Sequence, residues 1–140
     1  MYEQLKLENQ ICFPLYAASR KVTSLYTPHL KELGLTYTQY VTMLVLWEEQ
    51  SCKVGDLCER LFLDNGTVTP LLKKLEKDGL LTRTRNKDDE RIVEVALTKK
   101  GIALQEKAKD IPAKVGGCIP LSEKEAISLY TTLKKILDDK

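Results

Sequence analysis

Glycine, proline, histidine and aromatic residues are scarce in this sequence of 140 residues. It contains 7 glycines, 5 prolines and 1 histidine, and 6% of its residues are aromatic. That scarcity excludes collagen-like and low-complexity chains. Because 43% of the residues are hydrophobic and 30% are charged, an intrinsically disordered chain is excluded too. The length indicates one ordinary domain, with or without helical extensions.

A large net charge is also lacking. The 22 lysines and arginines are nearly balanced by 20 aspartates and glutamates, which leaves +2. A chain this close to neutral does not bind polyanions by bulk charge. Any contact with nucleic acid must therefore come from a local basic surface.

Long hydrophobic runs and targeting segments are absent. The most apolar run, residues 41–47, is far shorter than the roughly 20 residues that cross a bilayer. The first residues contain neither a basic nor an apolar segment typical of a signal peptide. We therefore expect a cytoplasmic protein with no membrane partner.

The four cysteines form no Cys-x-x-Cys pair, and His29 is the only histidine. This set predicts neither a zinc site nor a disulfide scaffold, and no metal or organic cofactor is expected. Catalysis by a cysteine–histidine pair is disfavoured for the same reason. In a reducing compartment, the cysteines are either small buried residues or redox-active thiols.

Hydrophobic periodicity predicts a mainly α-helical fold with one small β-hairpin. The first helix, within residues 5–33, either begins near Cys12 or is kinked at Pro14, and Gly34 ends it. The order helix, helix, turn, helix, hairpin is that of a winged helix-turn-helix. The expected helices are 36–49, 53–61, one from the 63–67 turn to about 78, 98–111 and 122–137, and the expected strands are 80–85 and 92–97.

The helix that follows the 63–67 turn is the candidate DNA-recognition helix. Such helices place their N-terminal end in the major groove, and that end also attracts phosphate. Residues 67–87 hold six basic and two acidic residues, a local charge of +4. The alternative is a lysine face that contacts only water. The candidate DNA-binding residues are Asn65, Thr67, Thr69, Lys73, Lys74, Lys77, Arg83, Arg85, Lys87 and Arg91; Asp89 is expected to pair with a wing arginine.

Cys12 is the candidate reactive cysteine. If the first helix begins beside it, the positive helix end favours its thiolate. Tyr16, four residues on, can donate its hydroxyl to the sulfur. Tyr26 lies on a similar azimuth but roughly 21 Å further along a straight helix, so it reaches only the Cys12 of an antiparallel partner. The alternative is a buried core cysteine with packing tyrosines.

The remaining cysteines divide into two groups. Cys118 follows Gly116-Gly117, a segment expected to be flexible, and a mobile cysteine suits a resolving thiol. Cys52, expected in a loop, and Cys58, on an apolar helix side, are expected to be inert.

Several segments resemble the MarR family of winged-helix repressors, and more narrowly its organic-hydroperoxide-sensing branch. The resemblance covers residues 5–137, although Pro14 replaces an expected alanine. The matching segments are NQICF (9–13), LYAASR (15–20), LGLTY (33–37), YVTMLVLWE (40–48), ERLFLDNGTVTPLLKKLE (59–76) and DER (89–91).

The resemblance implies one domain, 1–140, whose winged-helix part spans about 36–97. It implies a homodimer joined through residues 1–35 and 98–140 that represses by binding inverted repeats in double-stranded promoter DNA. It also implies that an organic hydroperoxide oxidises Cys12, that Tyr16 and Tyr26 bond its sulfur, and that an inter-subunit disulfide to Cys118 can follow. The alternatives are a repressor released by a small ligand and, from another class, a thiol peroxidase.

Overall fold

Two short 3-10 turns, Glu3–Leu5 and Leu7–Asn9, precede the first helix in the computed structural model, which describes residues 1–139. Eight helices and three strands follow. They are α1 (Cys12–Lys31), α2 (Tyr37–Glu49), β1 (Ser51–Lys53), α3 (Val54–Leu61), α4 (Asn65–Lys77), β2 (Leu81–Arg85), β3 (Val93–Leu97), α5 (Lys99–Ala103), α6 (Gln105–Ala108), α7 (Ile111–Gly116) and α8 (Glu123–Asp138).

The first helix begins at Cys12, which settles the alternative that Pro14 left open. Pro14 is the third residue of α1, where its missing N–H has no helical partner to lose. Gly34 adopts a positive φ of 72° and ends the helical segment, as predicted. Capping boxes are present at the start of α2, at Thr36, and of α8, at Ser122.

The core lies among α2, α3, α4 and the sheet. Leu46, Leu57, Leu75 and Val95 are fully buried within it. The predicted apolar face of α4 is confirmed, since Val68, Leu71, Leu72 and Leu75 are all buried. Helix α7 packs against α1 and adds Ile111 and Val115 to the same core. The winged helix-turn-helix is therefore confirmed: α3 and α4 are the two helices of the motif, and β2 and β3 form the wing.

The sheet has three antiparallel strands in the order β1-β3-β2. The predicted hairpin is the β2–β3 pair, and β1 is an additional strand that was not predicted. The prediction that Cys52 lies in a loop is wrong, because Cys52 pairs with Val95 across β1 and β3. Strand β1 has only three residues, too few for a periodic pattern. Its partner lies more than forty residues further along the chain.

The predicted single helix 98–111 is wrong as well. Thr98 does cap a helix, but the segment divides into α5, α6 and α7. Pro112, near the start of α7, lacks the N–H that would continue the preceding helix. Gly116 is the last residue of α7, and Gly117 follows it with an ordinary φ of −66°, so this pair belongs to the helix end.

Candidate nucleic-acid interface and cysteine sites

The N-terminal end of α4 is fixed by the side chain of Asp64. Its Oδ1 accepts a hydrogen bond of 2.8 Å from the backbone N–H of Thr67. Hydrogen bonding by the side chain of Thr67 and by this backbone N–H lowers the pKa of Asp64, because both stabilise the carboxylate. The helix begins two residues earlier than the turn pattern indicated. Asn65 and Thr67 therefore lie exposed in its first turn, and Thr69 is half-buried in the second.

The basic side chains of α4 differ in their surroundings. Lys73 and Lys77 are exposed. Lys74 forms an ion pair of 3.1 Å with Asp78, one turn further along. Exposed pairs of this kind contribute little to stability, so the Lys74 ammonium remains available to a stronger anionic partner.

The tip of the wing is organised by its own polar groups. Asp89 accepts hydrogen bonds from the backbone N–H and the guanidinium of Arg91, which lowers the pKa of Asp89. The Arg91 side chain nevertheless remains 90% exposed. Arg85 donates a hydrogen bond of 2.7 Å to the carbonyl of Glu90. Lys87 is exposed between them.

Arg83 contacts the protein itself. Its Nε and Nη2 donate to Glu76 Oε1 at 3.1 and 3.0 Å, and its backbone N–H donates to Glu76 Oε2 at 2.9 Å. These bonds lower the pKa of Glu76. A paired guanidinium of this kind is geometrically fixed. Glu76 was not singled out from the sequence, although its bonds to Arg83 join the wing to α4.

A groove of about 390 Å³ lies between α3, α4 and the wing. Its walls carry basic and amide side chains, which suit a polyanionic backbone. The polar and charged residues along it are Lys53, Asp56, Asn65, Thr69, Arg83, Arg85 and Arg91. Lys53 was not singled out from the sequence, since it belongs to the short strand β1.

Cys12 is exposed at the first position of α1, so the alternative of a core cysteine is wrong. Tyr16 is also exposed, and the guanidinium of Arg20 lies 5.5 Å from the centre of its ring. Among the described residues, no hydrogen bond joins Tyr16 to Cys12. Tyr16 follows Cys12 by four residues in the sequence, but its hydroxyl does not bond to the sulfur in the single subunit.

Tyr26 belongs to an aromatic cluster at the other end of α1. Its ring centre lies 5.0 Å from that of Tyr37 and 5.5 Å from that of Tyr40. Burial raises the pKa of both Tyr37 and Tyr40. These two tyrosines were not singled out from the sequence, although their spacing of three residues at the start of α2 places them on one side of that helix.

Cys118 is exposed in the turn after α7, where its Sγ lies 3.4 Å from the carbonyl oxygen of Lys114. All four cysteines are free thiols in the single subunit. Cys52 and Cys58 are half-buried, and burial raises the pKa of each, helped by the charges of Asp56 and Asp64 respectively. A thiol held protonated in this way is a poor nucleophile.

No helix in the part of the chain that the structure describes, residues 1–139, is long and apolar enough to span a lipid bilayer.

The chain matches known families over most of its length. A family model described as transcriptional regulator SarA/Rot matches residues 24–108. An organic hydroperoxide resistance transcriptional regulator of Bacillus subtilis is 44% identical over 137 residues, which cover 98% of this chain and 93% of that protein. The regulator SarZ of Staphylococcus aureus is 38% identical over 135 residues, which cover 96% and 91%.

Solved structures match as well. Reduced AbfR bound to DNA has a TM-score of 0.77 at 36% identity and covers 96% of each chain. The disulfide form of AbfR has a TM-score of 0.68 at 35% identity and covers 97% of this chain and 96% of that one. BpsR of Bordetella bronchiseptica has a TM-score of 0.86 at 23% identity, covering 96% and 98%, which shows a common fold alone.

Proposed function

This chain belongs to the SarA/Rot family of transcriptional regulators, and we propose that it is a homodimeric, redox-sensing repressor. In this proposal, the reduced dimer binds promoter DNA through α4 and the wing. Oxidation of Cys12 by an organic hydroperoxide releases the DNA. The predicted resemblance to hydroperoxide-sensing regulators is confirmed by the relatives described above.

The DNA-binding part of the proposal rests on the groove between α3, α4 and the wing, which Asn65, Arg85 and Arg91 line, and on the exposed polar residues of α4. Asn65 and Thr67 open the recognition helix, Lys73 and Lys77 are exposed further along the same helix, and Arg91 is exposed on the wing. The first two are placed to contact bases, and the basic residues to contact phosphates. The same assignment extends to the rest of the predicted surface: Thr69, Lys74, Arg85 and Lys87. Arg83 instead supports the wing through Glu76.

The dimer is supported by the amount of surface that the single chain exposes. A folded monomer of 15.9 kDa exposes about 7,400 Å², whereas this chain exposes 10514 Å². The excess is about 3,100 Å² for one chain and about 6,200 Å² for two, at least as large as the total area that permanent homodimers commonly bury. Large apolar side chains are exposed in both terminal regions: Leu5, Ile11, Phe13, Ile127, Tyr130 and Ile136. We therefore assign residues 1–35 and 98–140 to dimerisation.

The observation that carries the redox part is the position of Cys12. It is the exposed first residue of a 20-residue helix, whereas Cys52 and Cys58 are held as thiols. The Cys12 thiolate attacks one peroxide oxygen and the O–O bond breaks. A sulfenic acid forms at Cys12, and the leaving alkoxide takes up a proton to become an alcohol.

A second step joins the two subunits. The thiolate of Cys118 attacks the sulfenic sulfur of the partner's Cys12. The disulfide forms as the S–O bond breaks, and the hydroxide that leaves takes up a proton to become water. In an antiparallel arrangement of two α1 helices, Tyr16 of one chain and Tyr26 of the other flank each Cys12. Formation of the disulfide changes the spacing of the two recognition helices, which must match one turn of DNA.

The test begins with DNA sites that the reduced protein itself selects from a random double-stranded pool. Fluorescence anisotropy then measures affinity with and without an organic hydroperoxide. We expect oxidation to lower the affinity at least about tenfold, and Cys12→Ser to abolish the response. A non-reducing gel is expected to show a linked dimer that is lost in Cys118→Ser.

Two results would contradict the proposal. Release of Cys12→Ser from DNA by hydroperoxide would show that another group is the sensor. Multiple-turnover consumption of hydroperoxide with a thiol reductant would instead favour a thiol peroxidase. Neither result depends on whether the final oxidised species is a disulfide.

A further inference from the structure

We propose that Cys58 is a positioning residue for base recognition, because its thiol orients the side-chain amide of Asn65. The Sγ of Cys58 lies 3.3 Å from the Oδ1 of Asn65, with the thiol as hydrogen-bond donor. Cys58 lies on α3 and Asn65 is the first residue of α4. This inference rests on the proposed DNA-binding role of α4 and identifies what one position of that helix recognises.

The Cys58 thiol holds only the side chain of Asn65, and other groups hold the backbone at the start of α4. The start of α4 is held by Asp64, whose carboxylate accepts from the Thr67 N–H. The turn between α3 and α4 is closed by the backbone N–H of Leu63, which donates to the carbonyl of Cys58 at 3.1 Å. Removal of the Cys58 sulfur therefore keeps the helix end in place and frees only the amide.

The direction of the hydrogen bond determines which atoms of Asn65 face solvent. Cys58 keeps its proton at neutral pH because burial and the charge of Asp64 both raise its pKa. A protonated thiol is a donor, so Oδ1 is the atom of the amide that it holds. The second lone pair of Oδ1 and both hydrogens of Nδ2 remain for a partner outside the protein.

That arrangement matches one base. The major-groove edge of adenine presents an amino donor at N6 and an acceptor at N7, and an asparagine amide binds both at once. The match requires a fixed amide, because a rotated amide would present an acceptor where N7 needs a donor. Phosphate contacts from Lys73 and Lys77 carry no such requirement. We therefore infer that Asn65 reads an adenine and that Cys58 sharpens this preference.

The experiment compares base preference under reducing conditions for the wild type, Cys58→Ala, Cys58→Ser and Asn65→Ala. Each protein selects sites from a random double-stranded DNA pool. Anisotropy then measures its affinity for the wild-type site, for the three substitutions at the preferred adenine, and for unrelated DNA. Cys52→Ala is the matched control, because Cys52 is also half-buried and, among the described residues, its thiol donates no hydrogen bond to Asn65.

We expect the wild type to prefer adenine at one position of each half-site by about tenfold or more. Cys58→Ala should reduce that preference by about threefold or more. Cys58→Ser should restore it, because serine keeps the donor, and Cys52→Ala should retain it. Affinity for unrelated DNA should stay within about twofold for all five proteins, since phosphate contacts supply it. In the Asn65→Ala background, Cys58→Ala should change nothing further.

The experiment distinguishes a failure of the proposed DNA-binding function from a failure of the inference about Cys58. A wild-type protein that enriches no sequence overturns the proposed function together with this inference. A wild-type adenine preference that persists in Cys58→Ala overturns this inference alone. The same holds if Cys58→Ser loses the preference as Cys58→Ala does, because the effect would then come from packing of the sulfur.

Discussion

At the scale of single residues, Gly101 is fixed by the close approach of two backbone segments. A Cβ at this position would lie 2.1 Å from the carbonyl oxygen of Leu80. The backbone cannot move away without cost, because the carbonyl of Gly101 accepts a hydrogen bond of 2.9 Å from the Trp47 indole. Glycine is therefore required here by space and not by φ.

We expect Gly101→Ala to lower the free energy of unfolding by about 2–3 kcal/mol, the cost of overpacking a closed site. Urea denaturation followed by circular dichroism measures it. The matched control is Gly55→Ala in α3, where an added Cβ has nothing within 4 Å and alanine is the better helix former. Equal stability of the two variants would show that Leu80 and Gly101 separate easily.

Some features of single residues could be predicted from the sequence, and contacts that depend on tertiary packing could not. Cys12, Asn65 and Lys73 could be placed because local signals, a helix start and a basic helix face, determine their exposure. The contact of Arg83 with Glu76 could not be predicted, since it exists only after the wing folds back onto α4. The cluster around Tyr26 depends in the same way on the packing of α2 against α1.

At the scale of secondary-structure elements, α2 depends on its capping box. The side chain of Thr36 accepts from the Gln39 N–H, and the side chain of Gln39 accepts from the Thr36 N–H. We expect Thr36→Ala to cost about 1 kcal/mol of stability, because it leaves a helix N–H without a partner. Urea denaturation is again the measurement. Ser24→Ala, which removes an exposed hydroxyl within α1, should be nearly neutral, and an equal loss in both variants would contradict the capping role.

The contact between Glu76 of α4 and Arg83 of the wing predicts that the stability of the protein depends on pH. The pKa of Glu76 is lowered by the N–H and guanidinium of Arg83, so the carboxylate form is stabilised in the folded state. This contribution is complete above the ordinary glutamate pKa of 4.5 and disappears as pH falls through the lowered value. Glu76→Gln should therefore be less stable than the wild type at pH 7, and the difference should vanish in acid.

Urea midpoints measured at intervals from pH 7 to about pH 2 provide the test. Glu94→Gln, which neutralises an exposed carboxylate on β3, is the control and should lie close to the wild type across the range. A difference between Glu76→Gln and the wild type that is unchanged in acid would show that Glu76 stabilises the wing by packing alone.

The elements themselves were predicted unevenly, for identifiable reasons. Helices α2, α4 and α8 carry strong caps or a clear apolar face, and their limits follow from the sequence within about two residues. Strand β1 depends on pairing with β3 and has no local signal. The break between α6 and α7 falls where Pro112 lacks the N–H that would bond to Ala108, a signal that the sequence does carry. The break at Leu104, between α5 and α6, has no such local signal.

At the scale of the whole molecule, the near-zero net charge and the basic local surface belong together. The six basic residues of 67–87 stand against only two acidic ones, while the complete chain carries +2. In the proposed dimer this surface occurs twice, once for each half-site of DNA. Binding is therefore expected to fall steeply with salt concentration although the chain is almost neutral.

The proposed dimer can be tested by changing a residue that is neither a cysteine nor a proposed DNA contact. Tyr130 lies on α8 and is 67% exposed, as expected for a side chain that packs against a second copy. A charge at the centre of such an interface would be buried without a partner. We expect Tyr130→Asp to raise the dimer dissociation constant at least about tenfold, measured by sedimentation equilibrium. DNA affinity should fall in parallel, because a monomer reaches one half-site only.

The matched control is Ser128→Asp, which places the same charge at an exposed polar position of α8. It should sediment as the wild-type dimer and bind DNA normally. Equal dissociation of both variants would indicate that the added charge disturbs α8 itself, which circular dichroism would detect as lost helix. A wild-type chain that sediments as a monomer at micromolar concentration would remove the basis for the two-subunit cysteine chemistry, since Cys12 would then have no partner's Tyr26 or Cys118 to meet.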